Sequence, residues 1–531
     1  MVLFSRSKFF LSERLSPGMP FTASAALAEG PQPERTPPPS ISPSGPPQAS
    51  LRRSQGPWWR RVGMATVVAL LAGCASLPAD RGLSEINPLL AARGGPAVAP
   101  PDDSGSAELR ESLRGRPLSL ADAQALAYAG NPRMREHYAA LGLAGSEVLA
   151  AARLANPKLS LGWLDVSSGG SQWTLGLAQP FTSLLLMRSR RQLAAEGALQ
   201  AQLQTGDAIL QLGAEVEEAW WQLVAAGQQA ALSAQIAKAA RLSAELAQRY
   251  AEAGNLAALP LNLERAAAAQ AELEWLQAQA AVADARSALA TLMGLRPDDA
   301  DWQSPEQLPL PQGEIEELPV LLQRAQSQRL DLAAAEQQVT ALQRRLGIAR
   351  STRALGETTL GLEREREPDG TRKFGPTMEL ELPLWNQNQS GLLRGLSELE
   401  IAEATQRRLS IAAANEIARA REQWQLKDTA LRVHREQLLP AREQALQRMQ
   451  ERVNFMFEGP FELLRSRQEL SAAYRAYVAA LRDWWLARAA LARATGGLPT
   501  PPATEDTVAK PEVEAEPAPS VEDDPHAHHH H

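Results

Sequence analysis

The chain has 531 residues, enough for two or three domains of ordinary size, and 44% of them are hydrophobic, which is ample for a buried core. Its net charge of −7 is mild and gives no nucleic-acid-binding signature, so we expect no nucleic-acid partner. Aromatic residues make up only 5%, and alanine and leucine dominate the apolar share, which favours helices packed closely side by side.

The N-terminal region contains an export signal. Residues 1–57 are rich in proline and serine without a periodic apolar pattern, which is typical of a disordered extension or of an upstream stretch translated from a wrongly chosen start. Residues 58–73 combine a basic flank, a short apolar run and small residues, as in a secretory signal peptide. The run is too short to span a bilayer as a stable helix.

The end of this signal matches the lipobox of bacterial lipoproteins. The motif ends in Gly73-Cys74, and Cys74 is the only cysteine in the chain. Either Cys74 becomes an acylated N-terminus that anchors the mature protein, or an ordinary cleavage site lies beside an incidental cysteine. Ala75 stands where an aspartate would favour the inner membrane, so an acylated chain is expected in the outer membrane.

The remaining chain divides into two similar halves. We predict a lipidated N-terminus and Pro/Gly-rich linker over residues 74–117, a first repeat over 118–296, a linker over 297–319, a second repeat over 320–498, and a disordered, acidic, His-rich tail over 499–531. Matching prolines and glycines recur at an offset of about 200 residues, far longer than the period of solenoid repeats. The pattern indicates a duplicated unit.

Each half predicts a helix, two strands, a very long helix and a returning helix. In the first half these elements cover residues 118–154 with a break at Asn131-Pro132, then 159–166, 172–179, 186–253 and 261–293. In the second half they cover 320–353, 358–366, 376–382, a helix after residue 388 to about 457 with a bend at Pro440, and 461–495. The last strand alternates between Met378, Leu380 and Leu382 on one face and glutamates on the other, which predicts an apolar side and a charged side.

The two repeats contain no recognisable catalytic or metal-binding motif. They hold two histidines, His137 and His434, and no cysteine follows Cys74. No HExxH, CxxC pair, EF-hand loop or phosphate-binding loop occurs. We therefore expect no enzyme activity and no cofactor, and any work done on a substrate must be powered by a partner.

Together these features resemble TolC-like outer membrane efflux proteins. The resemblance covers about residues 118–498 and rests on the duplication, on strand ends such as Gln179-Pro180-Phe181 and Leu382-Pro383-Leu384, and on the closing Met293-Gly294 and Thr495-Gly496. It implies a mostly α, internally duplicated fold with a small membrane β part. A homotrimer would form a long coiled-coil α-helical tunnel and a closed 12-stranded β-barrel, with four strands from each subunit.

The resemblance also implies a location and partners. The protein would be a passive exit duct in the outer membrane of a Gram-negative bacterium, surrounded by lipid and extending into the periplasm. It would receive substrate from an inner-membrane pump, expected to be of the proton-driven resistance-nodulation-division type, through a periplasmic membrane-fusion adaptor. The alternative is a lipid-anchored periplasmic coiled-coil scaffold or adaptor without a pore. Two-faced strands favour the duct, because four strands have open edges that only a closed barrel removes in a membrane.

Several residues acquire roles through this resemblance. Glu379 and Glu381 would line the lumen. The turns at Gly254-Asn255 and Glu458-Gly459 would be periplasmic tips that dock the adaptor, or would merely reverse the chain. Glu462, just after the second turn, would form an acidic ring at the closed end of the channel, or would pair with Arg465 one turn on.

The sequence leaves open whether the substrate is a drug, a metal ion or a peptide. The run from Pro383 to Gln389, P-L-W-N-Q-N-Q, looks like the P-L-F-x-x-N-Q run of the heavy-metal subgroup. The chain ends in histidines that are either metal ligands or a purification tag, namely His526, His528, His529, His530 and His531. The pairs Trp220-Trp221 and Trp484-Trp485 are predicted either to pack between helices or to act as interfacial anchors.

Overall fold

The computed structural model describes residues 80–99, 103–165, 167, 169–299, 302–305, 307–311, 314–353 and 355–498. The predicted extension 1–57, the signal peptide 58–73, Cys74 and the tail 499–531 with its histidines lie outside the described residues. Among the helices of the described part, none combines the length and the hydropathy that crossing a membrane requires.

The helices and strands repeat once along the chain. The first half contains α1 (Leu83–Ala91), α2 (Asp103–Ser112), α3 (Leu120–Gly130), α4 (Pro132–Ala152), β1 (Lys158–Asp165), β2 (Ser171–Pro180), α5 (Phe181–Leu185), α6 (Met187–Glu252) and α7 (Ala258–Leu292). The second half contains α8 (Leu318–Gln328), α9 (Leu330–Thr352), β3 (Thr358–Arg366), β4 (Arg372–Leu380), α10 (Gln389–Val433), α11 (Leu439–Asn454) and α12 (Pro460–Ala494). The predicted internal duplication is confirmed.

The long helices are interrupted where the backbone loses a hydrogen bond. Ser119 caps α3 by accepting a hydrogen bond from the amide of Asp122 at 3.1 Å, and Asn131 caps α4. A π-helical turn, His434–Leu438, joins α10 to α11 just before Pro440, whose missing N–H breaks the α-helical ladder. The predicted break at Asn131-Pro132 is confirmed, and the last long helix is interrupted next to Pro440, where the sequence predicts a bend.

One helix that the sequence predicts as continuous is broken in the structure. The sequence pattern predicts a single helix over 320–353, but α8 ends before Arg329 and α9 begins after it, with Arg329 extended at φ −69° and ψ 116°. No proline or glycine marks this position. The break is stabilised by contacts of the Arg329 side chain with distant elements, so local sequence could not reveal it.

Two short helices, α1 and α2, lie in the segment expected to be a linker. Ile86 and Leu90 of α1 are completely buried, and α1 packs against α6. The Asn87 side chain exchanges hydrogen bonds with the main chain of Val98, at 2.9 and 3.1 Å. Pro88 inside α1 and the short length conceal this helix in the sequence, because its stability comes from packing rather than propensity.

Five tryptophans join the two halves in the core. Trp221 and Trp485 stack with ring centroids 4.5 Å apart, and each also meets its chain neighbour edge to face, Trp220 at 4.7 Å and Trp484 at 4.9 Å. Trp424 completes the group at 5.6 Å from Trp484. Such pairs stabilise by about 0.5–1.5 kcal/mol each beyond their area burial. The packing interpretation of the tryptophan pairs is confirmed, and the anchor interpretation is wrong.

Candidate functional site

The four strands form one antiparallel sheet in the order β1-β2-β3-β4. The central pair, β2 and β3, joins the two halves of the chain, with Leu177 opposite Leu362 and Gly176 opposite Glu363. Strands β1 and β4 are the two edges of this sheet. Each edge leaves unpaired N–H and C=O groups available for another strand.

One face of the sheet is apolar. Leu159, Leu177 and Leu362 form a continuous row across β1, β2 and β3. Leu161 lies on the same face and is 76% exposed. Because no part of the described chain covers these leucines, the face is suited to an apolar surrounding.

The opposite face carries mainly small and polar residues. By register it carries Ser160, Gly162, Thr174, Gly176, Gly361, Glu363, Glu365, Gly375, Thr377 and Glu379. Glu379, predicted to line a lumen, is on this face opposite Thr359. Its predicted companion Glu381 follows the end of β4, where its amide donates to the carbonyl of Glu357 at 3.0 Å.

The last strand is shifted from its predicted position. The sequence predicts a strand over 376–382, but β4 runs from Arg372 to Leu380. Pro376 does not begin the strand; it lies inside it, opposite Leu362. A proline is tolerated there because β4 is an edge strand, where a missing N–H can fall on the open side of the ladder.

Aromatic side chains lie at both ends of the apolar face. At the hairpin end, Trp163 and Trp173 are register partners. At the other end, where the strands lead into helices, Phe181 begins α5 and Trp385 is 89% exposed in the turn before α10. That turn is the P-L-W-N-Q-N-Q run, closed by Asn388 in the left-handed conformation at φ 60°. Aromatic belts of this kind flank the apolar band of membrane-embedded sheets.

The two predicted tips lie together at the far ends of the long helices. Gly254 adopts φ +75°, which favours glycine, and the amide of Asn255 donates to the carbonyl of Tyr250 at 2.8 Å. Gly459 precedes α12 as its N-cap residue. The rings of Tyr250 and Phe461 are 6.5 Å apart, so the structure brings the two turns into contact.

The second tip presents three apolar side chains that the sequence pattern did not single out as a group. Phe455, Met456 and Phe457 are all exposed, and Met456 is 92% exposed at φ 58°. Glu458 is held by an ion pair with Arg452 at 2.8 Å. The sequence does show three consecutive large apolar residues directly before a turn. Polar residues are expected there if the turn only faces solvent.

Glu462 is exposed on the first turn of α12. The alternative pairing with Arg465 is wrong, because Arg465 instead pairs with Glu469 at 3.6 Å. Within the described residues Glu462 has no ion pair, so its carboxylate is available to a partner or to solvent.

A half-buried ion cluster connects several helices at the break between α8 and α9. Arg329 pairs with Asp331 at 2.7 Å and Glu416 at 2.9 Å, and donates to the carbonyl of Ala494 at 3.0 Å. Burial, aided by the nearby Asp331, raises the pKa of Asp207 to about 6. Within the described residues no group of three or more His, Cys, Asp or Glu side chains could hold a metal ion.

Glu217 is a buried acid, only 2% exposed beside the tryptophans. Its carboxylate accepts a hydrogen bond from the indole of Trp221 at 3.2 Å. Burial raises the pKa of Glu217 to about 7, and the Trp221 bond and Arg488 oppose that rise. Packing between distant helices encloses this carboxylate, and local sequence does not show such packing.

A duplicated pair of long helical hairpins that leads into a two-faced antiparallel sheet defines a class of protein, the channel subunits of outer membranes. The outer membrane efflux protein family matches residues 124–295 and 321–497, which is more than half of the chain. The protein belongs to this family.

Individual relatives agree with the family. The cobalt-zinc-cadmium resistance protein CzcC of Cupriavidus metallidurans is 24% identical over 336 residues, which are 62% of this chain and 78% of CzcC. The CmeC outer membrane channel of Campylobacter jejuni aligns with a TM-score of 0.61 at 16% identity, over 71% of this chain and 85% of its own. The open MtrE outer membrane channel of Neisseria gonorrhoeae aligns with a TM-score of 0.56 at 20% identity, over 71% of this chain and 89% of its own. These structures share the fold.

Family membership confirms the expected class, fold and location. The protein is an outer-membrane efflux channel of a Gram-negative bacterium, the outer component of a tripartite export system that reaches into the periplasm. The family implies a trimer that works with an adaptor and an inner-membrane pump, and its members are channels rather than enzymes. The poreless scaffold is not supported.

Proposed function

We propose that three copies close their sheets into one 12-stranded barrel, through which substrate leaves the cell passively. The observation that carries this proposal is the two-faced sheet with open edges at β1 and β4. Joining β4 of one subunit to β1 of the next would pair both open edges, apart from the one donor that Pro376 lacks. The leucine face would meet lipid, and the face with Glu379 would line the lumen, with Glu381 at its inner mouth.

Neighbouring residues of β3 test this facing. Leu362 lies between Leu177 and Pro376 on the apolar face, and Glu363 lies between two glycines on the polar face. Leu362→Arg, which would place a charge among the leucines, should cost up to about 2–4 kcal/mol, the range for the bilayer midplane, and Glu363→Arg should be tolerated. Trimer yield in outer-membrane fractions and conductance in planar bilayers are the measurements. Equal tolerance of both substitutions would reject the facing.

The tips would dock the adaptor through which the pump delivers substrate; we expect a proton-driven pump of the resistance-nodulation-division type. Support comes from the contact between the two turns and from the exposed apolar residues of the second. Photo-crosslinkers at Asn255 and Glu458 should capture the adaptor in cells, and one at Thr371, in the far hairpin, should not. Capture at Thr371 alone would show that the tips only reverse the chain.

Metal ions are the proposed substrate class. CzcC is named for resistance to cobalt, zinc and cadmium, and the P-L-W-N-Q-N-Q run before α10 points to the same subgroup. Deleting the gene should sensitise cells to these metals more than to drugs. Removing residues 526–531, outside the described residues, should weaken zinc binding by the purified protein, because their imidazoles are suitable zinc ligands. Equal sensitivity to drugs and metals would contradict metal export.

Cys74, also outside the described residues, is the proposed lipid anchor. Its support is the lipobox and its uniqueness in the chain. Labelling with a clickable fatty acid should be lost in Cys74→Ala. Undiminished labelling of the variant would disprove acylation at this residue.

Glu462 is proposed to form a threefold acidic ring near the closed end of the channel. Its exposure and its lack of an ion pair within the described residues support this role. Three carboxylates in a narrow passage would attract cations. Glu462→Gln should reduce cation preference in single-channel recordings, whereas Glu469→Gln, at a paired acid on the same helix, should not. An unchanged reversal potential in Glu462→Gln would leave it an ordinary surface residue.

A further inference from the structure

Three arginines lie on the apolar face at the hairpin end of the sheet. Arg364 and Arg366 follow the leucines of β3 on the same face, and Arg372 of β4 is the register partner of Arg366. Side chains opposite one another in an antiparallel pair have Cβ atoms about 5 Å apart. Positions two apart along a strand are separated by about 7 Å. All three guanidinium groups can therefore reach one headgroup.

Carboxylates do not neutralise this arginine cluster. Within the described strands, Glu365 is on the other face and accepts a hydrogen bond from Gln172, and Lys373 pairs with Glu367. Asp165, at the end of β1, accepts from the indole of Trp163 at 3.1 Å. No described ion pair includes any of the three arginines. Like charges directly opposite one another destabilise a sheet, so the Arg366–Arg372 pair favours an anion from outside the subunit.

An aromatic ring adjoins the cluster. The Arg364 guanidinium lies 5.8 Å from the ring centroid of Trp173, which is itself the register partner of Arg366. Tryptophan prefers the boundary between hydrocarbon and headgroups. By register Arg366 and Arg372 lie level with this ring, and Arg364 lies one pair nearer the leucines, opposite Leu175. Their stems can rest on apolar surface while their charged ends extend past the ring to reach phosphate at headgroup depth.

The direction of the chain gives the side of the membrane. Strands β2 and β4 lead towards α5 and α10 at one end of the sheet, and the arginines lie at the opposite, hairpin end. The long helices extend into the periplasm, so the hairpin end faces the outer leaflet. This step rests on the proposed function, in which the leucine face meets lipid.

We propose that Arg364, Arg366 and Arg372 form a binding site for the phosphate groups of an outer-leaflet glycolipid. A guanidinium matches phosphate with two parallel hydrogen bonds, which makes arginine better suited than lysine to this task. Three subunits would provide three sites around the barrel. Bound lipid would neutralise the opposed arginines and brace the barrel at its outer rim.

The test compares binding of diphosphoryl lipid A and of its dephosphorylated form to the detergent-purified trimer by native mass spectrometry. The parent should prefer the phosphorylated lipid, and Arg364→Gln with Arg366→Gln and Arg372→Gln should lower its affinity about tenfold or more. Lys373→Gln, beside Arg372 but on the other face, should bind as the parent does. Arg366→Lys should fall between them.

Two results would overturn the proposal. One is equal binding of both lipids by the parent; the other is full displacement of the lipid by equimolar inorganic phosphate, which would indicate a free-anion site. Conductance of the same preparations separates this proposal from the proposed function. If the parent and the triple variant both conduct and bind the lipid equally well, the lipid site is disproved and the barrel is not. If the parent does not conduct, the proposed barrel itself is disproved.

Discussion

Replacing Glu217 by glutamine should make the protein more stable at neutral pH and leave it unchanged in acid. Burial raises the pKa of this carboxyl from its ordinary 4.5 to about 7. Between these values the folded chain holds a proton that the unfolded chain has released. The folding stability that the carboxyl contributes is therefore complete below about pH 4.5 and is lost as the pH rises through about 7.

The size of this effect follows from the two pKa values. A rise from 4.5 to about 7 corresponds to about 3 kcal/mol lost by the parent across the window. Glu217→Gln retains an oxygen that can accept the Trp221 indole hydrogen bond and cannot ionise, so it should escape that loss. The difference in stability between variant and parent should grow from near zero at about pH 4.5 to its full value above about pH 7.

Thermal unfolding of the full-length protein in detergent, followed by circular dichroism, measures this difference. Midpoints should be compared rather than free energies, because an oligomeric membrane protein does not unfold in two states. Glu218→Gln is the matched control, since Glu218 is the next residue of α6 and is exposed. A midpoint difference between Glu217→Gln and parent that stays flat from about pH 4 to about pH 8 would refute the argument.

Three substitutions and one control test other parts of the fold through the same midpoints. Arg329→Met should lower the midpoint, because it leaves the half-buried carboxylates of Asp331 and Glu416 without their cation; an unchanged midpoint would show that water replaces it. Gly294→Ala should lower the midpoint, since Gly294 has φ +72° and an added Cβ would lie 2.4 Å from a main-chain oxygen. Gly459→Ala is the control and should leave the midpoint unchanged, because no neighbouring atom lies within 4 Å of the added Cβ. Trp485→Ala should lower the midpoint strongly, because truncating a fully buried tryptophan typically costs about 3–5 kcal/mol, and an unchanged midpoint would contradict its central place in the core.

The sequence by itself determined most of the elements and their duplication. Period-two alternation located the strands, long stretches without glycine or proline located the helices, and Asn131-Pro132 and Pro440 marked breaks that the structure contains. These signals are local, since each depends on residues within a few positions of one another. They were sufficient to indicate the family that the chain belongs to.

The features that remained hidden depend on residues far apart in the chain. The break at Arg329 needs Glu416 and the end of α12, and the burial of Glu217 needs the packing of Trp485 against α6. The tertiary structure also decided that β2 pairs with β3, which places leucines on one face and arginines at its outer end. A pattern of period two states that a strand has two faces. Only pairing with other strands assembles those faces into a continuous surface of defined composition. The proposed function depends on that surface.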